Sequence, residues 1–321
     1  MVTGPSISVI LPTYNAAEYI VESVESLCAQ TLDDFEVIVV DDSSTDETRS
    51  LVREHGDERF RIVKRNEKTG GLPGALNRGI RESTAPYIAR QDADDRSHPE
   101  RLADQVAFLE DTPEVALVGS GARLIRSDGS IKDIRRVRSA PTFDDLIEKN
   151  RFVHGAVAFR RDVVEEVNGY DEAFEFSEDY DLWLRIAHDY PVRNLDSVRY
   201  DLRVHNESIY ASELEKVKLY AAFARKRVLN RTDLSAAKIH ENIRLVYETF
   251  DSNERARFHT EMAQALLRYG EHASARDHAR KGLRDTPSDA KLWIFLVLSV
   301  TPPRVVNAAI WMTRRIKNAR R

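Results

Sequence analysis

The chain has 321 residues, 42% of them hydrophobic and 31% charged, a balance that suits a soluble globular protein of one large or two smaller domains. The net charge of −5 argues against nucleic acid as a partner, and the single cysteine, Cys28, excludes an intrachain disulfide. No apolar run is long enough to span a bilayer, and "MVTGPSISVILP" lacks the basic leader and long apolar core of a signal peptide, so a cytoplasmic setting is expected.

From Ser6 to about Ser120, short β-rich runs alternate with helical patterns. "SISVILP", "FEVIVVDD", "FRIVKRN" and "PYIARQD" read as strands. Between them, "AEYIVESVESLCAQ" puts Ile20, Val24, Leu27 and Cys28 on one helical face, and "SSTDETRSLVREHG" opens on cap residues and closes on Gly56. "HPERLADQVAFLED" places Pro99 in a helical first turn. This alternation predicts an α/β fold, a doubly wound and mostly parallel sheet covered on both faces. Ligands of such sheets bind outside the carboxyl ends of the strands.

Acids collect at those ends. Asp41 and Asp42 finish the second predicted strand, and "QDADD" puts Asp92, Asp94 and Asp95 after the fourth. If the two strands are near neighbours, both groups face one crevice. Asp41 and Asp42 could instead cap the next helix, where acids are favourable.

Further on, "VALVGSGARLIR" reads as a strand, "TFDDLIEKN" as a helix and "FVHGAVAFRR" as a strand carrying His154 and Gly155. "SEDYDLWLRIAHDY" is a helix with Glu178 and Asp179 at its N-terminal end, and "VRNLDSVRYDLRVH" a strand ending on His205. From Ser212 onward the pattern is almost wholly helical. The expected division is a catalytic domain over 1–211 and a helical region over 212–321.

An Asp-Ala-Asp at a strand end suits Mg²⁺ or Mn²⁺, which takes one or two carboxylates and completes its shell with water and substrate phosphates. Alternation would point Asp92 and Asp94 the same way. A solvated acidic turn is the plain alternative for so short a motif.

The surrounding stretches bear on that choice. "SVILPTYN", "VVDDSSTDET", "GGLPGALNRGI", "YIARQDADDRSHPERL", "HGAVAFRR" and "SEDYDLWLR" follow one another over about residues 6–210. In this order the chain resembles the inverting family-two glycosyltransferases of GT-A fold, enzymes that use nucleotide-activated sugars. The resemblance implies that Pro12, Thr13 and Tyr14 line the nucleotide. It also implies that Asp41 accepts a hydrogen bond from the base, with Asp42 close by, and that Asn66 and Gly70–Gly71 flank the nucleotide. Arg90 and Asp92 serve the nucleotide-sugar, Asp94 is the direct metal ligand and His205 a further one. Asp179 is the general base, with Glu178, His154 and Trp183 on the acceptor side. For Trp183 a core role is the favoured alternative, since a tryptophan at this helical position is more often packed inside. Gln91 departs from the family's usual apolar residue without consequence.

Chemistry asks for the same groups. A bound cation stabilises the departing nucleotide diphosphate, and a carboxylate takes the proton of the incoming hydroxyl. The expected donor is a nucleotide-diphosphate sugar, a UDP-sugar first. The expected acceptor is a glycan or lipid-linked intermediate, and the expected cofactor is Mn²⁺ or Mg²⁺. After Asp179 there is no "QxxRW"-type motif, so a processive synthase is not expected. Two other readings carry less: a nucleotidyltransferase lacks its Gly-rich basic loop at "PTYNAAEYI", and an inactive domain on a helical scaffold would not keep both acidic sets together.

In the helical region, "AQALLRYGEHASARDHARKGLRDTPSDAKLW" looks like one tetratricopeptide-type helix pair with Gly270 in its turn. The last stretch has six Arg and Lys and no acid between Arg304 and Arg321. It reads either as a basic amphipathic contact with the inner face of the membrane or as a packed helix with a solvated tail.

Overall fold

The computed structural model describes residues 4–64, 71–204, 208–230, 232, 234 and 236–301. They fall into two compact units, one within 1–205 and 224–231, the other within 206–223 and 232–321.

In the first unit, β1 (Ile7–Thr13), β2 (Phe35–Asp41), β3 (Phe60–Lys64) and β4 (Tyr87–Arg90) alternate with α1 (Ile20–Cys28), α2 (Thr48–His55) and α3 (Gly71–Glu82). The short β5 (Arg96–Ser97) leads into α4 (Arg101–Asp111), followed by β6 (Leu117–Ile125), β7 (Ile131–Arg135) and α5 (Phe143–Glu148). A 3₁₀ turn (His154–Ala156), β8 (Ala158–Arg160), α6 (Arg161–Glu166), α7 (Glu178–Asp189) and β9 (Val192–Arg203) complete it, apart from the last residues of α8 (Ser208–Val228).

Among the described residues nine strands form one sheet in the order β3-β2-β1-β4-β8-β6-β9-β5, with β7 paired on β6. The half built from β3, β2, β1 and β4 is parallel, as the alternation predicts. Beyond β4 the pairing is mixed: β8 runs antiparallel to β4 and β6, while β9 runs parallel to β6. The chain winds out from β1 through β2 to β3 and returns to the other side of β1 as β4. The switch point of the sheet therefore lies at the carboxyl end of β1, flanked by the ends of β2 and β4. Ile7, Val9, Leu11, Val37, Val39 and Ala89 are buried there with Ile20, Val24 and Leu27 of α1, and this core holds the strand ends rigid. On the α3 side the helix lies directly on β1, because a side chain at Gly79 would reach within 2.4 Å of Ile10.

Three expectations are corrected. Strand β4 stops at Arg90, so Asp92 and Asp94 lie in the following turn, and turn geometry rather than strand alternation aims them. In "FVHGAVAFRR" the strand is confined to Ala158–Arg160; His154 and Gly155 form a 3₁₀ turn closed by the Ala156 N–H donating to the Val153 carbonyl at 2.9 Å. Helix α4 starts at Arg101, two residues past Pro99, whose carbonyl accepts from the Thr31 N–H.

The second unit takes the rest of α8, then α9 (Ala236–Glu241), α10 (Leu245–Glu248), α11 (Ser252–Arg268), α12 (His272–Asp285) and α13 (Ala290–Leu298). A capping box between Asp251 and Glu254 starts α11, and Gly270, at φ +78°, makes the turn into α12. His259 is buried between Tyr247 and His278 and hydrogen-bonded to both, a packing role. No helix among the described residues is long and apolar enough to cross a membrane. Asn66, Gly70, His205 and the basic stretch from Arg304 lie outside the described residues.

Candidate active site

At the switch point the ends of β1 and β2 are in register, Thr13 opposite Asp41. Asp41 is buried; its Oδ1 accepts from the Ser44 N–H at 3.4 Å, with the Thr13 hydroxyl at 3.5 Å. Its Oδ2 has no hydrogen-bond donor among the described residues, and the Arg49 guanidinium stands 3.6 Å away. A buried acceptor atom without a donor leaves hydrogen-bonding capacity unused at this strand end. Helix capping does not account for Asp41 or Asp42, since α2 begins at Thr48, where Asp46 takes the first N–H. The loops after β1 and β2 are tied together: the Asn15 N–H donates to the Ser44 hydroxyl and the Thr45 N–H to Asn15 Oδ1. Asn15 and Ser43 both sit at positive φ, a conformation that surrounding structure must impose. Tyr14, 65% exposed, stands between these loops, and Pro12 is half-buried beneath it. Gly71, at φ +52°, opens α3.

After β4, the turn bearing the acids is braced from three sides. The Asp92 N–H donates to the Tyr200 hydroxyl at 3.0 Å, and the Asp92 carbonyl accepts from Ser23 Oγ at 3.1 Å. Arg203, whose side chain has no exposed surface, donates from Nε to the Asp94 carbonyl at 2.8 Å and from its backbone to Asp95 Oδ1 at 2.7 Å. Gly155 makes room for this brace: a Cβ there would lie 2.1 Å from the Tyr200 hydroxyl oxygen.

Charge in the turn is incompletely balanced. Burial pushes the Asp92 carboxyl above its ordinary range and Asp94 adds to the shift, while Arg90, in direct ion pair with Asp92, opposes it. Asp95, buried beside both, is pushed up more strongly by burial and its two neighbours. Burial works against the charge of Arg90 as well, but Asp92 and the nearby phenols of Tyr200 and Tyr170 hold it protonated. Beneath the turn lies Arg101, fully buried, donating to the carbonyls of Arg90 (2.9 Å) and Gly155 (3.2 Å). Burial lowers its pKa to about 10, and Arg90 contributes. It therefore remains a cation at neutral pH and ties the end of β4 to the 3₁₀ turn.

Carboxylates crowded like this, with raised pKa values, are stabilised by a divalent cation. Among the described residues no group of three or more His, Cys, Asp or Glu could hold a metal by itself. A hard cation that shares substrate phosphates needs only one or two carboxylates, a donor set that Asp94 and Asp92 could supply.

The second acidic pair opens α7, preceded by Ser177 at φ +60°. Asp179 Oδ2 accepts from Asn150 Nδ2 at 2.8 Å and Oδ1 from the Tyr180 N–H at 2.6 Å. Glu178 Oε1 lies 3.6 Å from His154 Nδ1. Burial, with Asp179 beside it, pushes Glu178 up to about 8; burial also raises Asp179, against the pull of its two N–H donors. Of the adjacent carboxyls, Asp179 has the two N–H donors that favour its ionised form, while burial favours the protonated form of Glu178. His154 is held neutral, well below its ordinary range, by burial and by Arg90. Its Nε2 meets the Tyr170 hydroxyl at 3.1 Å, and Asn77 positions Tyr170 through both of that residue's backbone groups.

Fields of Arg90 and Asp92 reach Glu178, and that of Arg90 reaches Asp179 and His154, so these residues share one electrostatic neighbourhood. Trp183 does not join it as an open surface. It has no exposed area and packs edge-on against Phe152, His154 and Tyr170, so the acceptor-facing expectation is corrected to a core role.

Sequence reasoning missed Tyr200, Arg203, Arg101, Asn150 and Tyr170. A hint was available for Arg101 alone: a cation on the helix just after an acidic triplet.

Two acidic sets on a mixed sheet, one of them at its switch point, fit a glycosyltransferase of GT-A fold. The glycosyl transferase family 2 pattern matches residues 8–167, and a tetratricopeptide repeat pattern matches residues 256–299. The O-antigen biosynthesis glycosyltransferase WbnJ of Escherichia coli is 33% identical over 213 residues, covering 65% of this chain and 83% of that protein. Among solved structures, S. aureus TarS 1–349 in complex with UDP-GlcNAc is similar at a TM-score of 0.58 and 18% identity, covering 96% of this chain and 92% of that one. The mannosyltransferase PcManGT from Pyrobaculum calidifontis, in complex with GDP-Man and Mn²⁺, is similar at 0.56 and 19%, covering 93% and 86%. The chain belongs to glycosyl transferase family 2.

Proposed function

We propose that the protein transfers a sugar from a nucleotide-diphosphate sugar, a UDP-sugar first, to a hydroxyl of a glycan or lipid-linked acceptor, with inversion at the anomeric carbon. The observation that carries this reading is the division of labour between the two acidic sets. One is a braced turn of crowded carboxyls; the other is a buried pair in which two N–H donors hold the Asp179 carboxylate. TarS with UDP-GlcNAc and PcManGT with GDP-Man support the donor class.

Asp41 would accept from the base through its open Oδ2, with Asp42, Thr13, Pro12, Tyr14 and Gly71 around the nucleotide. Asp94, with Asp92 beside it, would hold Mn²⁺ or Mg²⁺, which supplies neutralisation of the charge developing on the leaving diphosphate. Arg90 fixes the direction of Asp92 through their ion pair. Asp179 takes the acceptor hydroxyl's proton as that oxygen attacks the anomeric carbon from the face opposite the diphosphate, so one displacement inverts the centre. Asn150 and the Tyr180 N–H hold the Asp179 carboxylate in a fixed orientation, and neutral His154 with protonated Glu178 lines the acceptor side. Residues 1–211 form the catalytic domain in this reading.

A thermal-shift screen of nucleotides and nucleotide-sugars with and without Mn²⁺ tests it. The donor is expected to raise the melting temperature, and more so with metal, because a ligand of the native state alone stabilises it. If no nucleotide or nucleotide-sugar shifts the transition with Mn²⁺ present, the donor assignment is wrong.

A further inference from the structure

Helix α13 is built almost wholly of apolar residues, "AKLWIFLVL", yet one side of it is exposed, with Phe295, Leu296 and Leu298 half-buried. Within it Leu292 is the buried residue, seated against Gly282 of α12, where a Cβ would come within 2.7 Å of the leucine. The Asp289 side chain caps the helix start, accepting from the Lys291 and Leu292 N–H groups. Trp293 is anchored at its indole N–H, which donates to the Pro287 carbonyl at 2.8 Å. Trp293, Ile294, Val297 and Val300 are 51%, 55%, 60% and 63% exposed. Their spacing places them along one side of the helical path, a continuous apolar stripe open to solvent. Scattered exposed apolar residues need no explanation, but a contiguous set of four large ones marks a contact surface.

The charge around this stripe says what kind of contact. From Ala290 to Arg321 the chain has no Asp or Glu and seven Lys or Arg, in a protein whose net charge is −5. An apolar groove on a protein partner would be satisfied by the stripe and would have no use for that excess. A second copy would bring two sets of like charges together, which costs affinity. Apolar side chains flanked by cations, with a tryptophan among them, match the boundary between acyl chains and anionic headgroups.

We propose that the exposed stripe of α13 docks on an anionic lipid bilayer, attracted there by the charge of the acid-free basic sequence that follows it. Trp293, Ile294, Val297 and Val300 enter the headgroup–acyl boundary, and the Arg and Lys side chains meet lipid phosphates. No helix crosses the bilayer in this arrangement.

Co-sedimentation of the full chain with phosphatidylcholine vesicles, with and without phosphatidylglycerol, tests the proposal independently of turnover. At low salt the protein is expected to pellet with the anionic vesicles, and added salt to release it in part, since apolar contact survives screening. The double variant I294Q/V297Q alters two exposed positions with good helix formers, so its melting temperature should match the parent. Its binding should fall by at least about tenfold. The variant R314Q/R315Q should lose preference for the anionic vesicles.

Quenching by brominated acyl chains in a Trp311→Phe background reads Trp293 against the buried Trp183. It separates insertion into lipid from coverage by the chain's own tail. Failure of the full chain to bind anionic vesicles at low salt, or unquenched Trp293 in bound protein, overturns the proposal. So does parental binding by I294Q/V297Q, including the case in which that variant merely converts a dimer to a monomer.

Discussion

The turn after β4 and the start of α7 both bring carboxyl groups together in buried surroundings, and both have raised pKa values. They differ in what stands beside them. The turn has fixed cations, Arg90 in ion pair with Asp92 and Arg203 on the Asp94 carbonyl, with Arg101 beneath. The α7 pair has neutral neighbours, His154 and Asn150. In the turn, burial and mutual repulsion still raise Asp92 and Asp95 against those cations, so a further positive charge would stabilise the ionised form. Neutral neighbours let one carboxyl keep its proton while the other stays charged, which a base requires. Similar residue types thus acquire different chemistry from their surroundings.

Breaking the α7 side should have the largest effect. Asp179→Asn keeps the hydrogen-bonding shape but cannot take a proton, so transfer is expected to fall by about two to four orders of magnitude. Donor affinity, read by calorimetry, should hardly change; if it falls in parallel, Asp179 belongs to the donor side and the contrast fails.

On the turn side, Asp94→Ala should remove metal-stimulated turnover, at least about a hundredfold at saturating Mn²⁺. Circular dichroism should show an intact fold, because the residue lies in a turn outside the apolar core. Wild-type rates with Mn²⁺ would refute its role.

A subtler change reaches the turn without touching an acid. Gly155→Ala would push Tyr200 off the Asp92 N–H. One displaced buried hydrogen bond costs about 1–3 kcal/mol. The apparent Mn²⁺ requirement should rise by about tenfold. Tyr200→Phe, which removes the same acceptor without the clash, should weaken metal stimulation in the same direction. An unchanged metal titration in both would mean that this brace is dispensable.

The smallest effect concerns Glu178, whose pKa is pushed up to about 8 from an ordinary 4.5. Between these values the folded protein holds a proton that the unfolded chain releases. The contribution of Glu178 to stability is therefore full below about pH 4.5 and declines as pH rises through about 8. Glu178→Gln removes this dependence, so its melting temperature relative to the parent should climb between pH 5 and 8.5, by roughly 2–4 °C per kcal/mol recovered. A parallel pair of curves would show that Glu178 is ionised throughout.

Much of the architecture was legible from local pattern. Continuous apolar runs such as Val9–Leu11 and Val37–Val40 fit buried parallel strands, and all are buried. Helix periodicity located α1 and α4 within a few residues of their ends. The places where the reading slipped are those where distant partners override local preference. At His154–Ala156 a strand-like run is bent into a 3₁₀ turn in which Gly155 accommodates the Tyr200 hydroxyl.

By itself, the sequence determined the family, the alternation of β1 to β4 with helices and the strand ends near which the acids lie, because periodicity and contiguous motifs are properties of neighbouring residues. Only the tertiary structure decided which way the acids are aimed and which of them carries a proton. Asp92 and Asp94 owe their placement to Tyr200 and Arg203, more than 100 positions further along the chain. Asp179 differs from Glu178 through Asn150, 29 positions before it. Trp183 became core through four aromatic neighbours drawn from separate segments. Burial and long-range hydrogen bonds set pKa values and orientation, and neither exists until the chain has folded.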